Sequence, residues 1–371
     1  MKPALKPITL ILAAVAAVSC GSPDGDANLS ERLLHAAAQG TPMYGHQDDL
    51  MYGHSWNASL DRDTLLERSD VKDVCGAYPA ILGLDLGGIE KGDRSNLDRN
   101  DFAIMRLAAV KHHERGGIVA LSWHLRNPLT GGDAWDISSD QVVASILPGG
   151  EKHQEFREWM CLAADFIDSI RDSEGKRFEL IWRPWHEHGG SWFWWGAGLC
   201  SPAQYNALWR MNYDYFVKER GLDNLVWAIS PNYSPALSET LRTRYPGDDV
   251  VDIVGLDLYA TPHEGGLEES AAVYVSQMHD GLEVICAFAR AHGKPVAVTE
   301  TGFESIPDPH WWTGALSEGI KGYPVSYVLT WRNSSEPERP AHYYGPWQGE
   351  KSAEDFNAWI TNSNIIMTHE Q

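Results

Sequence analysis

Glu187 ends the run Arg183-Pro-Trp-His-Glu187, and His-Gly-Gly-Ser-Trp192-Phe-Trp-Trp195 follows it. A largely apolar stretch, Phe178 to Trp182, leads into this segment, and four tryptophans fall within residues 185–195. A carboxyl beside aromatic surface has its charged form disfavoured, so its pKa rises and it keeps a proton near neutral pH. Indole faces stack on the apolar CH faces of sugar rings. A proton donor set among such surfaces suits glycosidic bond cleavage. Ordinary core packing does not call for so many indoles where a strand gives way to a loop.

Glycoside hydrolysis usually needs a second carboxylate. Lys294-Pro-Val-Ala-Val-Thr-Glu300-Thr-Gly302 supplies one, again a short apolar run ending in Glu. Such a run reads as a buried parallel strand with its carboxylate at the C-terminal tip. The chain's 15 histidines raise the question of a metal. His186 and His188 would share a face of a continuing strand, but there is no HExxH, and a metal-bound Glu187 would have no proton to give. No metal or cofactor is expected. His112-His113 reads as an exposed helical pair without a catalytic role.

Eight short apolar segments are placed to carry these groups: 43–46, 80–85, 118–124, 178–183, 225–230, 251–257, 295–299 and 325–331. Helical patterns lie between them at 64–71, 100–114, 153–173, 201–219, 271–292 and 311–318, with only a weak one in 231–249. Alternating apolar strands and helices predict a single (β/α)8 TIM barrel. In such barrels the chemistry sits at the C-terminal strand ends. Polar and aromatic residues gather there: His46, Asp85, Trp123, His124, His186, Glu187, Asn232, Asp257, Tyr259, Glu300, Trp331 and Arg332. The 371 residues carry a formal charge of −21. That charge argues against nucleic acid and anionic membrane surfaces as partners and suits a neutral polymer.

These residues resemble glycoside hydrolase family 26, whose best-known members are β-1,4-mannanases. The likeness runs from about Thr41 to Trp359. It rests on Arg183-Pro-Trp-His-Glu187 with Ser191-Trp-Phe-Trp-Trp-Gly196, on Gly45-His-Gln-Asp48 with Tyr52-Gly53 and Trp56, and on Trp123-His124 with Asn127-Pro128. Gly255-Leu-Asp257-Leu-Tyr259 and Trp331-Arg-Asn333 complete it. The resemblance implies Glu187 as acid/base, preceded by the family's His at His186, and Glu300 as nucleophile, hydrogen-bonded by Tyr259. It implies His124 on the glycone side, Trp331 as platform under the reacting sugar, Trp192 as platform one site beyond, and Arg332 reaching the next glycone sugar. Asp257 joins them as a substrate-side residue, and Trp194 and Trp195 read as packing support. The expected reaction is a retaining double displacement on mannan, glucomannan or galactomannan, which needs carboxyls roughly 5–5.5 Å apart. Two other readings stand beside it: the same machinery acting on a β-1,3-xylan or mixed-linkage β-glucan, and a non-catalytic surface glycan-binding protein. The chain departs from the family at His188-Gly189, where relatives commonly have Met-Asn.

The N-terminus reads as an export signal. Lys2 and Lys6 precede an apolar stretch, Ile8 to Val18, that is too short to span a bilayer. Ala17-Val-Ser-Cys20 resembles a bacterial lipoprotein signal, in which Cys20 takes the lipid; plain secretion is the alternative. Residues 1–28 are therefore expected to be signal and flexible tether, and 29–371 the catalytic domain. A monomer touching the membrane only through that lipid is expected, in the cell envelope or secreted. Cys75, Cys161, Cys200 and Cys286 permit three full disulfide pairings, or none.

Overall fold

The computed structural model describes residues 27–58 and 66–369. The expected signal, tether and Cys20 lie outside them. Eight parallel strands close into a barrel: β1 Met43–Gln47, β2 Ile81–Asp85, β3 Ile118–Ser122, β4 Leu180–Arg183, β5 Leu225–Ile229, β6 Ile253–Ala260, β7 Val296–Phe303 and β8 Val325–Thr330. Each pairs with its sequence neighbours, and β8 returns to β1. Both faces of these strands are covered, which is why they read as continuous apolar runs.

A main helix follows each strand: α1 Asp70–Cys75, α2 Phe102–Glu114, α3 His153–Ser169 (after a short helical stretch, Val142–Ile146), α4 Pro202–Tyr213, α5 Leu237–Arg244, α6 Gly266–His292, α7 Ser317–Ile320 and α8 Ala353–Asn362. Local chemistry sets their starts. Ser69 caps α1 by accepting from the Lys72 amide. Ser201 and Gln204 form a capping box at α4, with Pro202 in its first turn. The Ser69 cap sets the start of α1 at Asp70, while 64 and 65 of the helix expected at 64–71 lie outside the described residues; the 201–219 helix starts at its cap and passes into a π-helical turn after Tyr213. Among the described residues no helix is long and apolar enough to cross a membrane.

A leading helix, Leu29–Gln39, precedes the barrel. Its Leu29, Leu33 and Ala36 pack with Ile81, Ile118, Ile181, Ile253 and Tyr327 from inside the strands. The Leu29 amide donates to Glu179, just before β4, at 2.7 Å. This helix therefore closes the N-terminal end of the barrel and leaves the C-terminal rim open. The four described cysteines are unpaired: Cys200 and Cys286 are buried, Cys75 and Cys161 partly so. His112 departs from expectation. It lies on α2 but is wholly buried, with its Nε2 3.4 Å from the Ala80 carbonyl, and burial lowers its pKa to about 4.

Candidate active site

Glu300 lies within β7, not at its tip, because the strand runs on to Phe303. Between Val298 and Glu300 the pairing with β6 slips by one residue, so Glu300 stands opposite Asp257. Bulges of this kind re-aim side chains beside functional sites. The skipped residue, Thr299, donates its hydroxyl to Asp257 Oδ1 at 2.6 Å.

Arg183, the last residue of β4, reaches into this pair. Its Nη1 donates to Asp257 Oδ2 at 2.7 Å and to Ser230 Oγ at 3.2 Å, and its Nη2 donates to Glu300 Oε2. The other Glu300 oxygen accepts from the Tyr259 hydroxyl at 2.5 Å. Burial, with the charge of Glu300 added, pushes the Asp257 carboxyl up to about 7. It is raised even against Arg183 and Thr299, which stand around it as donors do around a carboxylate. Burial opposes the charge on Arg183, but Asp257 and Glu300 hold its pKa above the ordinary value. Both oxygens of Glu300 are thus fixed in place.

Glu187 follows β4 on a turn in which Trp185 (φ 54°) and Glu187 (φ 52°) both take left-handed backbone. For residues other than glycine each such conformation costs about 1–3 kcal/mol. The turn holds because the Glu187 amide donates to the Ser230 carbonyl at 2.7 Å, and Trp195 Nε1 donates to the His186 carbonyl at 2.8 Å. Burial raises the Glu187 carboxyl well above its usual range, and the charges of Glu300 and Asp257 raise it further. Trp192, 41% exposed, donates its Nε1 to Glu187 Oε2 at 2.5 Å and opposes the rise. A carboxyl whose proton is held by burial thus shares the rim with one gripped by two donors.

A hydrogen-bonded line runs beside the acid. Asp85 Oδ2 lies 2.7 Å from His124 Nδ1, and His124 Nε2 lies 3.0 Å from His186 Nε2. A nitrogen-to-nitrogen contact holds one proton. Burial, with Arg183 and His124 nearby, keeps His186 well below its ordinary pKa; burial opposes charge on His124 too, but Asp85 raises its pKa overall. His188 turns the other way and stacks on Tyr205, with ring centroids 4.4 Å apart, held neutral by burial and Arg244 at a pKa of about 3.

Trp331 follows β8 and is half-buried, with its ring 5.8 Å from that of His124. Arg332 pairs with Asp98 at 2.9 Å and lies 3.4 Å from the Tyr52 hydroxyl, beside a cavity of about 250 Å³. Asn333 is structural: it donates to Asp70, and its oxygen accepts from the amides of Tyr344 and Gly345. A side chain at Gly345 would meet His46 Nε2 at 2.3 Å, so this loop lies directly over His46.

The residues expected to carry catalysis or touch sugar, Glu187, Glu300, His124, His186, Trp192, Asp257, Tyr259, Trp331 and Arg332, lie in the C-terminal halves of their strands or beyond them, while Cys20 lies outside the described residues. Trp194 and Trp195 are wholly buried, as packing residues are. Sequence reasoning missed three members of the rim. Arg183 had a signal, a cation inside an apolar strand. Asp98 had none, since its loop is polar throughout. Trp135 is 47% exposed and stacks on His124 at 5.3 Å, but it stands alone in a loop.

Comparison with known proteins agrees with this architecture. The pattern of glycosyl hydrolase family 26 matches residues 41–301. A mannan endo-1,4-beta-mannosidase of Bifidobacterium adolescentis is 30% identical over 339 residues, covering 86% of this chain and 33% of its own length. The chain therefore spans about a third of that relative. A Bacillus subtilis mannan endo-1,4-beta-mannosidase is 27% identical, covering 82% of this chain and 78% of its own. The solved structure of a GH26 beta-mannanase from Bacteroides ovatus superposes with a TM-score of 0.83 at 43% identity, covering 91% of this chain and 94% of the other. The chain belongs to glycosyl hydrolase family 26.

Proposed function

We propose that this chain is a retaining glycoside hydrolase that cuts β-1,4-mannosidic linkages in mannan-type polysaccharides and their oligosaccharides. The observation that carries the reading is the difference between two facing carboxyls. Glu187 is raised by burial and by the charge of Glu300, while Glu300 is gripped by Arg183 and Tyr259. Environments that separate two carboxyls in this way divide the work between an acid and a nucleophile.

Glu187 protonates the departing glycosidic oxygen, and Glu300 attacks the anomeric carbon to form a glycosyl ester. Once Glu300 is esterified its charge is gone, so one cause of Glu187's raised pKa disappears. Glu187, now a carboxylate, takes a proton from water, which displaces Glu300 and restores both groups. Trp331 supplies the platform under the reacting sugar, and Trp192 fixes the acid and flanks the leaving side. Arg332, held by Asp98, meets the next glycone sugar. His124 and His186 orient hydroxyls between them. The protein is a monomer, exported and tied to the envelope through Cys20.

The test is a product time course on mannan and mannohexaose with two variants. Glu300→Ala should abolish turnover on every substrate. Glu187→Ala should lose mannan cleavage and keep the first step with an aryl leaving group, which needs no proton. Full mannan activity in Glu187→Ala would sink the assignment, and hydrolysis of xylan or barley glucan in place of mannan would change the substrate.

A further inference from the structure

The acid turn carries two left-handed residues that are neither glycine nor asparagine, so neighbours must hold it. Three successive residues of the turn are held from three elements. The Tyr205 hydroxyl donates to the Trp185 carbonyl at 3.1 Å, from α4. Trp195 Nε1 holds the His186 carbonyl at 2.8 Å, from the tryptophan-rich loop. The Ser230 carbonyl, just beyond β5, holds the Glu187 amide at 2.7 Å. Of the three, only Tyr205 acts through a side chain on a regular helix, one fixed at its start by the Ser201–Gln204 capping box.

Tyr205 is wholly buried, and its ring stacks at 28° on His188, the residue directly after Glu187. The Arg244 guanidinium lies 5.3 Å from the same ring. Burial raises the phenol's pKa well above its ordinary value, so it stays a donor across the working range. Nothing in the double displacement uses this hydroxyl directly.

We propose that Tyr205 is a positioning residue for the general acid: its hydroxyl holds the Trp185 peptide in the orientation that aims the Glu187 carboxyl at the departing glycosidic oxygen. The proposal rests on the reading of Glu187 as acid/base. Without the hydroxyl, the Trp185 carbonyl is buried with no donor from α4. The left-handed turn then relaxes, and the carboxyl leaves its place. Glu300, held separately by Arg183 and Tyr259, stays where it is.

Tyr205→Phe tests this, since it keeps ring, stacking and volume and removes one oxygen. The same protein sample is assayed on mannohexaose and on a dinitrophenyl β-mannobioside, whose leaving group departs unprotonated. kcat/KM should fall at least about tenfold on mannohexaose and less than about twofold on the aryl substrate. Azide, which needs no general base, should restore the second step on the aryl substrate. The alkaline limb of the mannohexaose profile should move to lower pH as the carboxyl loses the burial that raises it. Comparing the two substrates cancels any difference in the amount of folded protein. Equal losses on both substrates, or no loss on either, overturns the proposal. Glu187→Ala is run alongside. If it shows no split between substrates, the acid assignment has failed; if it splits and Tyr205→Phe does not, only the role of Tyr205 has failed.

Discussion

Arg183 is the residue on which the site's electrostatics turn, because it meets two carboxylates in a place almost closed to water. Removing one partner of a buried ion pair costs about 3–5 kcal/mol. Arg183→Met should therefore destabilise the fold by that order, measured by denaturant unfolding near neutral pH. The deficit should depend on pH with a definite sign. Asp257 already has a folded pKa raised to about 7 by burial beside Arg183, and losing the guanidinium raises it further. Such a group's contribution is full below the unfolded pKa and is lost as pH rises through the folded one. The gap between variant and parent should therefore be smallest below neutrality and widen as pH rises through about 7; a gap independent of pH would remove the buried carboxylate as its cause. Trp192 gives a second prediction. Its indole N–H lowers the Glu187 pKa, and activity is lost as that proton is lost. Trp192→Phe should move the alkaline limb of kcat/KM on mannan to higher pH, and a limb that stays put or moves down would contradict the hydrogen bond's role.

At the scale of elements, the two ends of the barrel have different duties. Leu33 of the leading helix is wholly buried among strand residues at the N-terminal end. Leu33→Ala should cost about 2–5 kcal/mol in unfolding free energy. It should leave kcat/KM at 25 °C unchanged, because the rim is at the other end; a matching fall in kcat/KM would show the ends to be coupled. The strands were legible because parallel strands buried on both faces are written as unbroken apolar runs. Their ends were less so. β7 reads as finished at Thr299, yet a bulge carries it on to Phe303, and a one-residue slip leaves no mark in composition. The leading helix and α8 were not read at all. Asn28 and Glu31 form a capping box, but beside a polar tether the pair looks like more tether. Of the site, the carboxyls and indoles were legible by type. The partners that hold them were not: Arg183 on Glu300 and Asp98 on Arg332 are contacts across more than a hundred residues, made only by closure of the barrel.

At the scale of the molecule, the reading of Cys20 as an anchor has its own consequence. Cys20→Ser should shift the protein from membrane to soluble fraction while mannan cleavage per molecule is unchanged, as followed by fractionation and assay. Equal membrane association in the variant would leave Cys20 without that role. The leading helix gives the anchor a direction. Leu29 packs against the closed end of the barrel, beside Glu179. From Cys20 to Leu29 the chain can reach no more than about 3.3–3.6 Å per residue. On the proposed reading, a lipid at Cys20 would be tied to the chain at the closed end of the barrel, opposite the open cleft. Moored in that way by its base, the molecule would offer its working face away from the bilayer, toward a long polymer arriving from outside.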